Sequence, residues 1–183
     1  MSRVAALDLT LPSYGWRDVP MPGANAPLAL TRLDSRPGTL ALHGRFPAGF
    51  HRPVAGGYVV AEEFLVLDGT LEIGGAVFRR GDLTYVPPGY VRAGMRSVGG
   101  CTVLAWFGGP AEFREAHLLP VAVRGLVTVA FGEELDLPAG RWCRGGAVPP
   151  GATGDVVTAD LSAWRRLDGS PVVRNAVVRV EKP

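Results

Sequence analysis

Glu62 and Glu63 open an apolar run, AEEFLVLDG, whose strand-like alternation places Glu62 with Phe64 and Val66 on one face and Glu63 with Leu65 and Leu67 on the other. A carboxylate on an apolar interior face is costly when ionised and alone, so it calls for a metal, a counter-ion or hydrogen bonds. Three histidines, His43, His51 and His117, are the imidazoles from which a zinc or iron site could draw, and such a site wants at least three convergent ligands. His43 falls on an expected strand, where it could carry a proton or be a satisfied core residue, and His117 on an expected helix facing solvent. Nucleophile and phosphate signatures are absent: there is no G-x-S-x-G elbow, no P-loop and no dinucleotide fingerprint.

The elements that would hold these residues are short and numerous. The 25 glycines and 16 prolines lie between brief apolar runs, a pattern of many turns and few long helices. Strands are expected at Leu28 to Leu33, Thr39 to Phe46, Tyr58 to Leu67, Thr70 to Ile73, Ala76 to Arg79, Leu83 to Val86, Tyr90 to Met95 and Cys101 to Phe107. Asp68-Gly69 and Gly74-Gly75 read as hairpin turns. About eight such strands suit a closed barrel or jelly roll. Residues 1–27, rich in Pro and Gly around Trp16, read as an N-terminal arm, 28–110 as the barrel and 111–183 as a C-terminal extension. Within the extension, Ala111 to Leu119 is the helix candidate and Pro171 to Val180 is strand-like. Faint echoes, Leu67-Asp68-Gly69-Thr70 against Leu167-Asp168-Gly169-Ser170 and Phe46 to Gly49 against Leu137 to Gly140, raise the alternative of a truncated second repeat.

The spacing of Gly49, Glu62 and Gly69, followed by Gly81, Pro87 and Gly89, resembles the two motifs of the cupin superfamily. Trp16, Pro22-Gly23, Leu28 to Asp34, GDLTYVPPG and SVGGCTVLAWF make it most similar to ChrR-like and acetylacetone dioxygenase-like cupin domains. The resemblance covers roughly residues 14–110 and implies an all-β fold, the cupin double-stranded β-helix or jelly-roll barrel. Where the family's motifs carry histidine ligands this chain has Ala55, Gly57 and Arg92, and Arg96 stands where the second motif has Asn. Of the four usual ligand positions only Glu62 is kept.

On this resemblance Glu62 faces the barrel interior and Arg92 stands across from it in place of the third histidine. Arginine stays protonated, offers a planar fork of donors and does not ligate divalent cations. Glu62 and Arg92 are therefore expected to pair, with Arg92 polarising a substrate oxygen and Glu62 acting as general base or acceptor, or else only to fill and neutralise the barrel. His51, two residues past Gly49, could support Glu62 in a shifted site. His43, Tyr58, Phe64, Tyr90 and Trp106 are the expected ligand-binding lining, together with Tyr85 and Phe107, and Gly56-Gly57 is expected to leave room for a substrate or form a flexible lip.

The expected function is binding of a small organic molecule in the barrel without a metal or other cofactor, with isomerisation, cyclisation or elimination as candidate chemistries. The alternatives are a non-catalytic ligand sensor and a metal-dependent dioxygenase-like site rebuilt around His51 and Glu62. A net charge of +2 with scattered arginines argues against nucleic acid as a partner, and no run reaches the ~18 apolar residues of a membrane span. Cys101 and Cys143 are far apart and form no C-x-x-C pair. Arg79-Arg80 and Arg165-Arg166 read as solvated. A cytoplasmic homodimer is the expected state.

Overall fold

The computed structural model describes residues 5–11, 15–36, 38–122, 125–169 and 174–182. In chain order the first strands are β1 (Ala6–Asp8), β2 (Arg17–Val19), β3 (Leu28–Arg36), β4 (Thr39–Phe46), β5 (Phe50–Arg52) and β6 (Gly56–Tyr58). They are followed by β7 (Glu62–Ile73), β8 (Ala76–Arg79), β9 (Asp82–Val86), β10 (Met95–Ser97), β11 (Cys101–Phe107) and β12 (Phe113–Glu115). The remainder are β13 (Val127–Ala130), β14 (Leu135–Asp136), β15 (Gly140–Arg144), β16 (Thr153–Thr158), β17 (Ala163–Asp168) and β18 (Ala176–Glu181). Among the described residues the helical segments are two single 3-10 turns, and no helix is long and apolar enough to cross a membrane.

Two compact units form: Gly15–Thr128, and Met1–Tyr14 joined with Val129–Pro183. The first is a double-stranded β-helix. One of its sheets runs β9-β7-β11-β4-β3-β2, with β13 beside β9, and in the other the far end of β7 pairs with β8 and β10, and β10 with β5. A further ribbon, β12 with β6, is tied in by the Gly56–Arg92 bridge.

Strand β7 is the spine of this unit. Its first residues, Glu62 to Leu65, pair with β9, and its last, Thr70 to Ile73, pair with β8. The hairpin expected at Asp68-Gly69 does not form. A register shift opposite Thr102 and Val103 instead bends one continuous strand from sheet to sheet. Gly69 makes the bend possible: its φ is +73°, and a Cβ there would lie 2.1 Å from the Gly100 carbonyl oxygen. Gly74-Gly75, at φ +60° and +87°, gives the tight turn that sends the chain back as β8. The long strand expected over 58–67 is interrupted between β6 and β7, and Tyr90 to Met95 supplies only the Arg92 bridge before β10.

The lumen is filled by inward side chains, with Phe46 against Phe50, Phe64 against Phe78 and Tyr58 against Phe107, centroids 5.1, 5.2 and 5.1 Å apart and edge-on. The helix expected over 111–119 is replaced by strand β12 and a 3-10 turn at Ala116–Leu118. Bounded by Pro110 and Pro120, the segment is too short to sustain a helix on its own, and pairing with β6 satisfies its backbone while Phe113 packs on the core.

The second unit is an antiparallel sheet ordered β1-β17-β16-β18-β15-β14, with Val156, Leu167, Ala176 and Val178 packed on one face. Here Arg166 is not the solvated residue expected. Register places it opposite Asp155, to which it donates at 3.2 Å, and it also reaches Glu181 at 2.8 Å. Burial raises the Asp155 carboxyl above its usual range, against the pull of Arg166 and Arg179. The Leu-Asp-Gly echo has different settings: Gly69 lies inside a strand, Gly169 just beyond one. Residues 171–173 of the expected terminal strand lie outside the described residues.

Gly69→Ala is expected to cost about 3 kcal/mol or more, because left-handed strain adds to a backbone clash, whereas Gly75→Ala, with open space around it, should cost only about 1 kcal/mol. Urea unfolding of the two variants checks this, and equal losses would contradict the bend described.

Candidate functional site

The pairing of β7 with β9 and β11 puts Glu62, Phe64 and Val66 on the same face as Val86, Ala105 and Phe107, which is the lumen. Arg92 arrives from the loop after β9. The turn Pro87-Pro88-Gly89-Tyr90 is closed by the Tyr90 amide donating to the Pro87 carbonyl at 3.2 Å. Two reciprocal backbone bonds with Gly56, 2.7 and 3.2 Å, then clamp Arg92 across from β6. Its Nη2 donates to Glu62 Oε2, and the two side chains are only 3% and 9% exposed. The Tyr58 ring lies against the guanidinium, 4.7 Å from centroid to Cζ.

A second guanidinium shares this end of the barrel. Strand β5 alternates Phe50 inward, His51 outward and Arg52 inward, and Arg52 has no exposed surface. Its Cζ sits 4.2 Å above the Phe113 ring. Among the described residues no acceptor lies in full hydrogen-bonding geometry with its Nε, Nη1 or Nη2, although the Tyr58 hydroxyl is close enough to interact with the guanidinium, and Arg92 Nε is likewise unmatched. Burial lowers the Arg52 pKa, with Arg92 adding to the effect and Tyr58 and Glu62 opposing it. Burial also lifts the Tyr58 phenol above its ordinary value, helped by Glu62 and opposed by both arginines, so its proton stays on at neutral pH. The cluster thus holds two fixed cations, one carboxylate and a neutral phenol.

The other residues singled out from sequence divide between two faces. Phe64 and Tyr58 are in the lumen, and Tyr90 packs half-buried against the same core. His43 and Trp106 are not in the lining: they pair with Leu104 and with Ala41 and Glu63, one residue out of phase with the lumen positions of β4, β7 and β11. His43 instead stacks on Trp16 with centroids 4.8 Å apart, and Tyr85 shares this outer face. His51 is exposed on the outer face of β5, opposite Arg96, its amide donating to Asn25 Oδ1 at 2.8 Å. It therefore does not join Glu62. His117 is exposed beside Glu115 on the 3-10 turn.

Nor do Gly56 and Gly57 leave room for a substrate. A Cβ on Gly56 would meet the Phe113 ring and the Arg114 carbonyl at 2.4 Å, and one on Gly57 the Tyr90 carbonyl at 2.3 Å. Close backbone approach is what these glycines serve. Arg52 is not among the residues singled out from sequence, although strand parity with the apolar Phe50 points it inward. Phe113 escaped with the expected helix.

An antiparallel double-stranded β-helix of this kind is the cupin fold. Similar solved structures include a dioxygenase candidate from Nostoc punctiforme, with TM-score 0.61 and 16% identity over 97% of this chain and 82% of that one. Protein YlbA from E. coli matches at TM-score 0.52 and 13% identity over 96% and 89%. An acetylacetone dioxygenase from Acinetobacter johnsonii matches at TM-score 0.51 and 12% identity over 72% and 89%. At these identities the likeness is one of fold. No family model and no curated protein sequence matches the chain.

A cupin fold implies a divalent metal, and the residues present do not fit one. Ala55 and Gly57 offer no donor side chain, a histidine at 57 would strike the Tyr90 backbone, and the Glu62 carboxylate is engaged by a cation that would repel another.

Two outcomes are expected from mutation. Glu62→Leu, which leaves two buried guanidiniums facing each other, should cost about 3–5 kcal/mol, and adding Arg92→Met should recover at least about 1 kcal/mol. Denaturant unfolding of both variants tests this; a double variant less stable than Glu62→Leu would contradict it. His43 is held neutral by burial, its pKa lowered from 6.5 to about 4. The unfolded chain binds the proton first, so stability is full above the unfolded value and falls with pH toward the folded one, by about 3 kcal/mol in all. Between about pH 6.5 and about pH 4, His43→Gln should show a shallower loss than the wild type, and parallel profiles would contradict the assignment.

Proposed function

We propose that the polar end of the barrel binds a small organic molecule through an oxygen atom offered to Arg92, with Glu62 as the proton acceptor and no metal ion involved. The observation that carries this reading is the Glu62–Arg92 pair, buried in the lumen where the fold's metal ligands would stand. A guanidinium in a low-dielectric site favours negative charge developing on a carbonyl oxygen. Glu62 can take a proton from the adjacent carbon as the C–H electron pair moves into an enolate, whose oxygen Arg92 stabilises. Returning the proton to a different carbon gives isomerisation, and loss of a β leaving group gives elimination. Tyr58, protonated and stacked on Arg92, fixes the guanidinium plane and can donate to the same oxygen. Two proteins of similar fold bear dioxygenase names, and the Glu62–Arg92 pair in this chain supports a different chemistry.

The test is α-proton exchange in D2O, followed by NMR, for a panel of small β-dicarbonyl and α-hydroxycarbonyl compounds. Exchange faster than the buffer rate, lost at least hundredfold in Glu62→Gln and unchanged by prolonged chelation, is expected. Exchange that needs added Fe(II) or Mn(II), or that persists in Glu62→Gln, would contradict the reading.

A further inference from the structure

Counting charges at the polar end of the barrel gives Arg52 and Arg92 against Glu62, an excess of one positive charge among three buried residues. Tyr58 stays neutral and does not alter the balance. Glu62 is engaged by Arg92, and among the described residues the three nitrogens of Arg52, held near the Tyr58 hydroxyl, and Nε of Arg92 have no partner in full hydrogen-bonding geometry. Buried donors of this strength are costly when unmatched, and guanidinium is the group best shaped to grip a planar, two-oxygen anion. We infer that Arg52 is the anchor for a carboxylate on the ligand, so that the barrel takes small organic acids whose carboxylate meets Arg52 while the reactive carbonyl meets Arg92.

This deepens the reading of the Glu62–Arg92 site and rests on it. Access is built in beside Arg52. Phe113, whose ring covers the guanidinium, also lines an open cleft of about 580 Å³, together with Pro22, Gly23, Val54, Leu118 and the charged residues Glu112, Arg114 and Glu115, of which Glu112 is paired with Arg114 and Glu115 lies beside His117. Phe113 is therefore the partition between cleft and anchor, and it sits on β12, a three-residue strand that among the described residues pairs with β6 alone. A rotation of that ring exposes Arg52 to the cleft, replacing a cation–π contact with an ion pair. Pro22, Gly23 and Val54 give the cleft an apolar wall suited to the ligand's carbon skeleton.

Acid and amide pairs of one skeleton provide the test: propionate with propionamide and benzoate with benzamide, titrated into the full chain and read by the Arg Nε–H signals and by thermal unfolding. The acids are expected to shift the Arg52 signal and to bind at least tenfold more tightly than their amides. Arg52→Met should abolish that preference, weakening acid binding to the level of the amide. It should also melt no lower than the wild type, since it removes an unmatched buried charge. Should Arg52→Met fail to fold, the wild-type Arg52 signal alone decides, by moving with acid or not. Equal binding of acid and amide, a preference that survives Arg52→Met, or the same shift produced by chloride at equal concentration overturns the carboxylate anchor but leaves binding at Arg92 intact. If no acid and no amide perturbs either arginine, the anchor and the binding reading fall together.

Discussion

Ion pairs removed from water must be satisfied where they are, and the contact between Glu62 and Arg92 imposes that demand on the whole barrel. Neither charge can be dispersed into solvent, so the chain must hold both partners in place before any ligand arrives. Reciprocal backbone bonds tie Arg92 to Gly56, and the Tyr58 ring stacks on its guanidinium. Glu62 is fixed by its place at the start of β7, paired with Val86 on one side and Phe107 on the other. Rigidity of this kind is what a preorganised electrostatic site requires.

The same constraint explains the glycines and aromatic rings around the pair. Gly56 and Gly57 carry no side chain, which lets β12 and the Tyr90 backbone close in. Edge-on ring pairs fill the rest of the lumen, leaving polarity concentrated at one end. The second unit treats charge in another way: Asp155 is compensated within its own sheet by Arg166, which is in turn tied to Glu181.

Strand parity made much of this legible before the structure. Alternation alone puts Glu62 on one face with Phe64 and Val66, and the resemblance to the second cupin motif is what implies Arg92 opposite. Parity failed where strand starts and bulges were misjudged. Asp68-Gly69 has the composition of a hairpin turn, but neighbouring strands on both sides kept the chain extended through it. The residue types of His43 and Trp106 suit a lining, whereas their phase relative to Leu42 and Ala105 sends them outward. Arg52 was hidden because a basic residue next to histidine and proline reads as surface, and only the inward Phe50 two residues earlier revealed its direction. The strand at Phe113–Glu115 depends on a partner more than fifty residues away, a contact no local pattern carries.

Diffraction to high resolution from crystals of protein purified without chelator, with anomalous data collected for first-row transition metals, puts the central claim to its most direct trial. The account predicts continuous density from the Glu62 carboxylate to the Arg92 guanidinium inside the barrel, with Arg52 inward beneath Phe113. An anomalous peak coordinated by Glu62, with Arg92 swung away from it, would contradict the account at its root.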